Sequence, residues 1–547
     1  MSQKKASPGC CGVGLVRILF PIVVLALALA TWLIASNWPN RETDSSSLSI
    51  AKMLALIIAT ALLFLWALRM PGWKRRHVWA SFLVVFGLAL LAFKPNGMLG
   101  NFFALWVRRD WVMDIFFDGS DATLLERHRD AQTKADGAAD LTARPGDWIS
   151  FRGPGRDGIA TGITISRNWN ASPPTEVWRQ PVGGGYAAFA AANGYLVTIE
   201  QRRDREVVVC YEANTGREVW ATGWNTRFEE SLGGPGPRAT PTIFNGHVFA
   251  YGAKGRLVCL NGKDGLEKWA IETLRDNSNV QWAMSGSPLV VDDLVIVNPG
   301  AQTDAAKGKA VRAYNRLDGQ VVWTAGNHPA GYSSPQLSTL GGVKQVLIFD
   351  AAGVAGHDVA KGTELWRFGF PTYQGINVAQ PVPIDDSTVF IGAGYNTGGA
   401  LLRVKQADGK WSVSEVWRTK TTVMRLKFSS GVRRKTEDGD YLYGLNDELL
   451  ECLDLKTGKA KWKDDRRAGK GDGFGHGQIV LIDDLIVALT QFGELVLVEA
   501  NPNEFKELGR IQALNRGHKT WNNPTVVGNR IIVRNDAEMA CYELTGK

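Results

Sequence analysis

Hydrophobic positions change character along the chain. Before residue 95 they come in unbroken runs; after residue 150 they alternate with polar ones and stop every few residues. The runs Ile18–Ala35, Met53–Leu68 and Val78–Phe93 are 16–18 residues long, slightly short of the ~20 that cross a bilayer. Lys52 and Arg69 can snorkel, and Trp38, Trp66, Trp73 and Trp79 suit membrane interfaces. Three spans are therefore expected, at about 18–35, 53–68 and 78–93. The first run lacks a clear small-residue cleavage site and is followed by further spans, which argues against a signal peptide. Lys4, Lys5 and Arg17 precede it, and Arg69, Lys74, Arg75 and Arg76 fill the second loop. By the positive-inside rule the N-terminus faces the cytoplasm and everything beyond residue 95 lies outside. In a cell with two membranes this means an inner-membrane anchor and a periplasmic domain. Segment 101–117, interrupted by Arg108, Arg109 and Asp110, reads as interfacial; a crossing there would return the large domain to the cytoplasm. Residues 119–146 read as a polar, Ala-rich linker, helical or loose.

Beyond the linker one pattern recurs. VVVCYEANTGREVW ends at Trp220, and LVCLNGKDGLEKW, VRAYNRLDGQVVW, VAGHDVAKGTELW, LLRVKQADGKWSVSEVW and LECLDLKTGKAKW end at Trp269, Trp323, Trp366, Trp417 and Trp462. A degenerate copy ends at Leu508. The intervals from Trp220 are 49, 54, 43, 51, 45 and 46 residues, the length of one four-stranded propeller blade. Runs such as PTIFNGHVFAYG and GQIVLIDDLIVALT read as hairpins, with Asn-Gly or Asp-Asp at their centres. Asp-Gly, Thr-Gly and Lys-Gly pairs suit the turn into the fourth strand, because Gly accepts positive φ. The two ends complete each other. MACYELTGK is a third strand and turn with no fourth, and PTEVWRQP, with Trp178, is a fourth strand with no third. Joined, they make an eighth blade and close the ring, protecting edges that would otherwise pair with other chains. The expected fold is all-β, an eight-bladed propeller over 147–547 behind a helical anchor over 1–118.

The motif Ala/Cys-x-Asp-x-x-Thr-Gly-x-x-x-Trp resembles the tryptophan-docking repeat of the PQQ-type β-propeller superfamily, over about residues 147–547. That superfamily includes quinoprotein dehydrogenases and BamB-like envelope proteins that bind protein partners, so the resemblance speaks to fold more than to function. The lead-in DWISFRGPGRDG (147–158) resembles the start of many bacterial envelope proteins of this type and reads as a strap on a blade face.

Repetition assigns most of the notable residues to structure. Eight equivalent outer-strand positions, seven of them Trp, cannot all face one site, so the Trp residues read as inter-blade packing. Cys210, Cys259 and Cys452 lie six residues before the repeat Gly and Cys541 five before Gly546; they read as free thiols in small buried slots of separate blades. Cys10 and Cys11 are expected on the cytoplasmic side. The surplus charge lies in residues 1–118, with 12 Lys/Arg against 5 Asp/Glu. The remainder is nearly balanced at 50 against 49, which argues against a nucleic-acid partner.

Chemistry must then lie in the loops that lead into the innermost strands and converge on the axis. Among them Arg238, Trp282, Asn377, Arg425, His476, Trp521 and Asn522 are candidate ligand-binding residues of a polar funnel. No catalytic residue and no metal ligand is assigned, and no zinc, P-loop or Gly-x-Ser-x-Gly signature is present. The expected role is a binding or scaffold module for an envelope protein or extended peptide. The competing class is a membrane-bound dehydrogenase using pyrroloquinoline quinone with Ca²⁺. Its requirements are calcium oxygen ligands, a carboxylate base and cations for the quinone. Arg238, Arg425, Trp282 and Trp521 could supply cationic and stacking contacts. Glu229, Glu230 and Asp472 are expected outside the converging set, and the vicinal disulfide of many alcohol-oxidising members has no counterpart in the propeller.

Overall fold

The computed structural model of the chain describes residues 19–31, 45–69, 74–99, 103–108, 121–132, 138–230, 232–276, 278, 280–464 and 473–545. They fall into two compact units, one within residues 1–118 and one within 119–547.

In the first unit, helices Ser45–Leu68 and Arg75–Ala92 pack through Phe64, whose ring meets Trp79 at 4.8 Å and Phe82 at 4.5 Å. The expected three-span anchor is not supported. Among the described residues no helix is long and apolar enough to cross a membrane. The described residues of the first run, 19–31, are helical. The third helix opens on Arg75, Arg76 and His77, and the chain becomes a strand at Phe93. The inner-membrane placement rested on those spans and falls with them. Segment 101–117 differs from expectation too: Phe103–Arg108 pairs antiparallel with Phe93–Leu99, while residues 109–120 lie outside the described residues, as do Cys10 and Cys11.

The second unit is the propeller. Eight sheets, each with four antiparallel blade strands, follow one another along the chain. Blade 1 covers Ala190–Asn225, blade 2 Thr242–Glu272, blade 3 Leu289–Ala325 and blade 4 Gln336–Gly369. Blade 5 covers Val382–Arg418, blade 6 Val432–Lys463 and blade 7 Gln478–Gln512. Blade 8 joins Thr525–Val527, Arg530–Arg534 and Glu538–Glu543 to Thr175–Pro181, so the ring closes between the domain's two ends.

Two repeated contacts hold neighbouring blades together. At the rim the docking Trp lies opposite a small residue on the third strand, as in Cys210–Trp220, Cys259–Trp269 and Ala313–Trp323. A register shift follows immediately in every blade. The indole N–H then reaches a carbonyl of the next blade: Trp220 donates to Gly262 at 2.9 Å, Trp323 to Val359 at 2.9 Å and Trp462 to Asn501 at 2.8 Å. The ring covers the next blade's turn glycine. Gly265 has φ +73°, and a Cβ there would sit 2.5 Å from Trp220 Cε3, so both backbone and packing require Gly. Leu508 provides no indole at the blade 7–8 boundary. Trp169 fills it from outside the repeat: it is 2% exposed, shares a core with Leu508 and Leu544, and its backbone N–H, not its indole, donates to the Leu508 carbonyl. Around the axis, hydroxyls bridge successive blades. Ala188 N–H donates to Thr240 Oγ1, Thr240 N–H to Ser287 Oγ, and Ser287 N–H to Ser334 Oγ.

The four described cysteines are free and buried in separate blades. Burial pushes the thiols of Cys259, Cys452 and Cys541 up to about 12, so they are packing residues rather than nucleophiles. Residues 119–146 are not a loose tether. Helix Asp121–Ala131 is fastened by Arg129 to Glu218 at 2.7 Å and by Glu126 to Arg203 at 2.7 Å, and Leu141 joins the core shared by blades 1 and 2.

Candidate functional site

The segment 147–163 decides what the axis can do. It does not lie on a blade face, as its sequence suggested, but threads across the centre of the ring. The Trp148 and Ile149 carbonyls accept from Ala191 of blade 1 and Ile243 of blade 2, both at 2.8 Å. On the far side Ile159–Ala160 runs parallel to Leu481–Ile482 and adds a strand inside blade 7. Between these points Arg152 donates to the Ser430 and Gly431 carbonyls at 3.1 and 2.9 Å. Arg156 donates to the Ser287 and Pro288 carbonyls, both at 3.0 Å. The segment is a plug joining blades 1, 2, 3, 6 and 7, and it divides the axis into two chambers.

The first chamber, about 210 Å³, is bounded on the plug side by Phe151 and draws lining residues from every blade or its inbound loop. Its walls are mainly aromatic. Trp521 lies 5.2 Å from both Tyr186 and Phe428, and Trp282 lies 5.6 Å from Tyr332. The loop from blade 1 to blade 2 forms a short hairpin, Glu229–Glu230 with Gly234–Pro235, which adds Glu230, Leu232 and Gly233 to the lining. Lys519 Nζ donates to the Leu232 carbonyl at 2.5 Å and ties the hairpin to the loop before blade 8. Arg238 stacks over Phe228 and Tyr186 and pairs with Glu230 at 3.2 Å. Burial dominates the titration here: it lowers the Arg238 guanidinium and pushes the Tyr332 hydroxyl up to about 12.

Of the residues expected in the funnel, Arg238, Trp282 and Trp521 line this chamber. Asn377 does not: it is fully buried and donates to the Asp350 carbonyl at 2.7 Å. Asn522 is likewise buried, bracing the Gly185 and Ala187 carbonyls at 3.2 and 3.0 Å. Both sit where an inbound loop turns into its strand, and the backbone there needs donors. Arg425 and His476 lie outside the lining. Arg425 pairs with Asp447 at 2.9 Å, and His476 contacts Lys427 Nζ at 3.2 Å and packs edge-on to Phe428. Glu230 corrects the sequence reading in the other direction, because the hairpin brings it into the converging set. Phe151, Tyr395 and Phe428 also line the chamber unforeseen. Phe428 stands in an inbound loop between blades 5 and 6; Phe151 and Tyr395 carried no positional signal.

Next to this site Glu206 is fully buried between blades 1 and 2, accepting from Ala253 N–H at 2.9 Å and Trp224 Nε1 at 3.1 Å. These donors favour the carboxylate, but burial outweighs them and raises its pKa from 4.5 to about 7. The folded state then binds more protons than the unfolded one from about pH 4.5 to pH 7, so stability falls across that window and levels off above it. Glu206→Gln is expected to unfold at a higher temperature relative to wild type at pH 8 than at pH 5. A difference independent of pH in thermal melts would contradict this origin.

The chamber does not fit a calcium-bound quinone. Glu230, the carboxylate in its lining, already accepts from Leu232 N–H at 2.7 Å, Gly233 N–H at 2.5 Å and Arg238. Arg238 is in turn spent on Glu230 and the Gly234 and Gly236 carbonyls. Among the described residues no three His, Cys, Asp or Glu side chains are grouped to hold a metal ion.

Rim indoles, axial hydroxyls and the ring closure define an eight-bladed, tryptophan-docked propeller with a binding chamber at one end of a plugged axis. The chain belongs to the PQQ-type, BamB-like propeller family: the profile described as outer membrane protein assembly factor BamB matches residues 169–302 and 204–464. The outer membrane protein assembly factor BamB of Yersinia pestis is 26% identical over 350 residues, covering 62% of this chain and 74% of that protein. Among solved structures, BamB from Moraxella catarrhalis aligns with a TM-score of 0.46 at 15% identity, over 68% of this chain and 97% of that one. A quinohemoprotein alcohol dehydrogenase from Pseudomonas putida aligns with a TM-score of 0.49 at 12% identity, over 74% and 81%. The relative's name ties that protein to outer-membrane assembly, which together with the helices overturns the expected inner-membrane placement.

Proposed function

We propose that this protein is a binding module of the cell envelope that receives an extended protein segment at the first chamber. The observation that carries this reading is the chamber's lining: aromatic rings from several blades around a space of about 210 Å³, with one internally neutralised ion pair. Such a surface favours an apolar or aromatic side chain carried on a peptide, because ring contacts and desolvation supply the binding energy. A rigid closed ring suits this role, since the site need not be ordered on binding.

Family membership supports the same reading, in that the related BamB is named as an assembly factor for outer membrane proteins. A dehydrogenase reading gains nothing from the donor set. Titration of the full-length protein with unstructured peptides differing only in one Trp or Ser, followed by intrinsic fluorescence, tests the proposal. The Trp peptide is expected to bind, and Trp521→Ala or Tyr332→Ala to weaken it by about tenfold or more. Equal binding of both peptides, or indifference to both substitutions, would sink it.

A further inference from the structure

On the other side of the plug lies a second chamber of about 290 Å³, lined by Arg152, Arg156, Asp157, Gln336, Gln380 and Arg433 together with inner-strand backbone of blades 4, 5 and 6. Its charges do not balance. Arg433 is matched by Asp440 through two bonds, each of 2.8 Å or less. Arg152 has Asp157 as a nearby opposing charge. Arg156 has no such partner among the described residues: its two bonds go to main-chain carbonyls, and burial lowers it to about 9. It is only 4% exposed.

Three buried polar atoms of residues that line this chamber are also left without partners among the described residues. The Nε–H groups of Arg152 and Arg156 donate to nothing among the described residues, and Gln380 Oε1 accepts from nothing. Gln380 cannot turn away, because its Nε2 donates to Gln336 Oε1 at 3.0 Å, and Gln336 donates to the Gly155 carbonyl at 3.2 Å. A buried guanidinium without a counter-charge is costly, and so is each orphaned donor or acceptor.

We infer that the second chamber is an anion site, built for a small group with one negative charge and one hydrogen-bond donor. A carboxylate or singly protonated phosphate oxygen would meet Arg156 and Arg152, and a hydroxyl or amide N–H beside it would meet Gln380 Oε1. Guanidinium pairs of this kind favour planar or tetrahedral oxyanions over simple halides. The group could arrive as a free metabolite or as the terminal carboxylate of a peptide. Because Arg156 also fastens the plug to blade 3, an occupant would stiffen the element that separates the two chambers.

Calorimetric titration of the full-length protein with sodium acetate, inorganic phosphate, and a short peptide with a free or an amidated C-terminus reads out the ligand. One site per chain is expected for at least one oxyanion, with chloride much weaker. Binding of the free-acid peptide but not its amide would assign the source to a chain terminus; binding of acetate or phosphate alone would assign it to a small solute. Arg156→Gln should weaken binding more than about tenfold. Since that variant also loses a plug contact, Ser338→Asp serves as the second test: it supplies a carboxylate from the chamber wall. It should raise the thermal midpoint and abolish anion binding. No saturable oxyanion binding by wild type, or a lowered midpoint with unchanged binding in Ser338→Asp, would overturn the inference.

Discussion

Trp220→Ala is expected to lower stability by about 3–5 kcal/mol. The ring lies between blades 1 and 2, 8% exposed, against the Gly265 turn. Its removal leaves a cavity that neither blade can close, because each is held on its other flank by the next docking contact. The Gly262 carbonyl also loses its donor. Trp220→Phe keeps most of the apolar contact and loses mainly the hydrogen bond, so about 1 kcal/mol is expected. Urea unfolding midpoints order the two variants. Equal midpoints would mean that the indole N–H, rather than ring volume, carries the docking.

Arg152→Ala is expected to be the second large loss, on the order of 2–5 kcal/mol. Three carbonyls, of Asp157, Ser430 and Gly431, accept from this guanidinium inside the ring. Alanine leaves all three in a buried site with no replacement donor. The residue also has φ of 59°, a conformation that alanine relieves no better than arginine, so no compensating backbone gain follows. The substitution should free the plug as well as destabilise the blades. Limited proteolysis between residues 147 and 160 should accelerate well below the unfolding midpoint. Lys at this position keeps the charge but cannot span the carbonyls with a planar fork, and an intermediate effect is expected. If cleavage in Arg152→Ala followed only global unfolding, the plug would be held by its strand pairing to blade 7 instead.

Much of the propeller is legible from local chemistry. A glycine turn, a small third-strand residue and an outer-strand Trp recur at one spacing because each blade solves the same packing problem. The unfinished blade at either end announces the closure. The departures are legible only in three dimensions. Leu508 marks a missing docking residue, but nothing near it in sequence points to Trp169 as the replacement. Asn377 and Asn522 stand in the same set of inbound loops as Trp521 and Trp282, yet their side chains turn back to backbone carbonyls. Polar residues at a loop-to-strand junction satisfy local donors first, and only packing reveals which ones are left to face the axis.

The anchor reading is not supported, because among the described residues no helix is long and apolar enough to cross a membrane.

By itself, then, the sequence determined the blade count, the ring closure, the docking indoles and the buried thiols, all of which follow from short-range periodicity. Only the tertiary structure decided that residues 147–163 pass through the axis, that Glu230 neutralises Arg238, and that Arg156 is left in a chamber without a counter-charge. The plug and the setting of Arg156 depend on contacts between residues more than a hundred positions apart, while the Glu230–Arg238 pair depends on how one loop folds into a hairpin; local pattern does not say which carbonyl or carboxylate a side chain will meet.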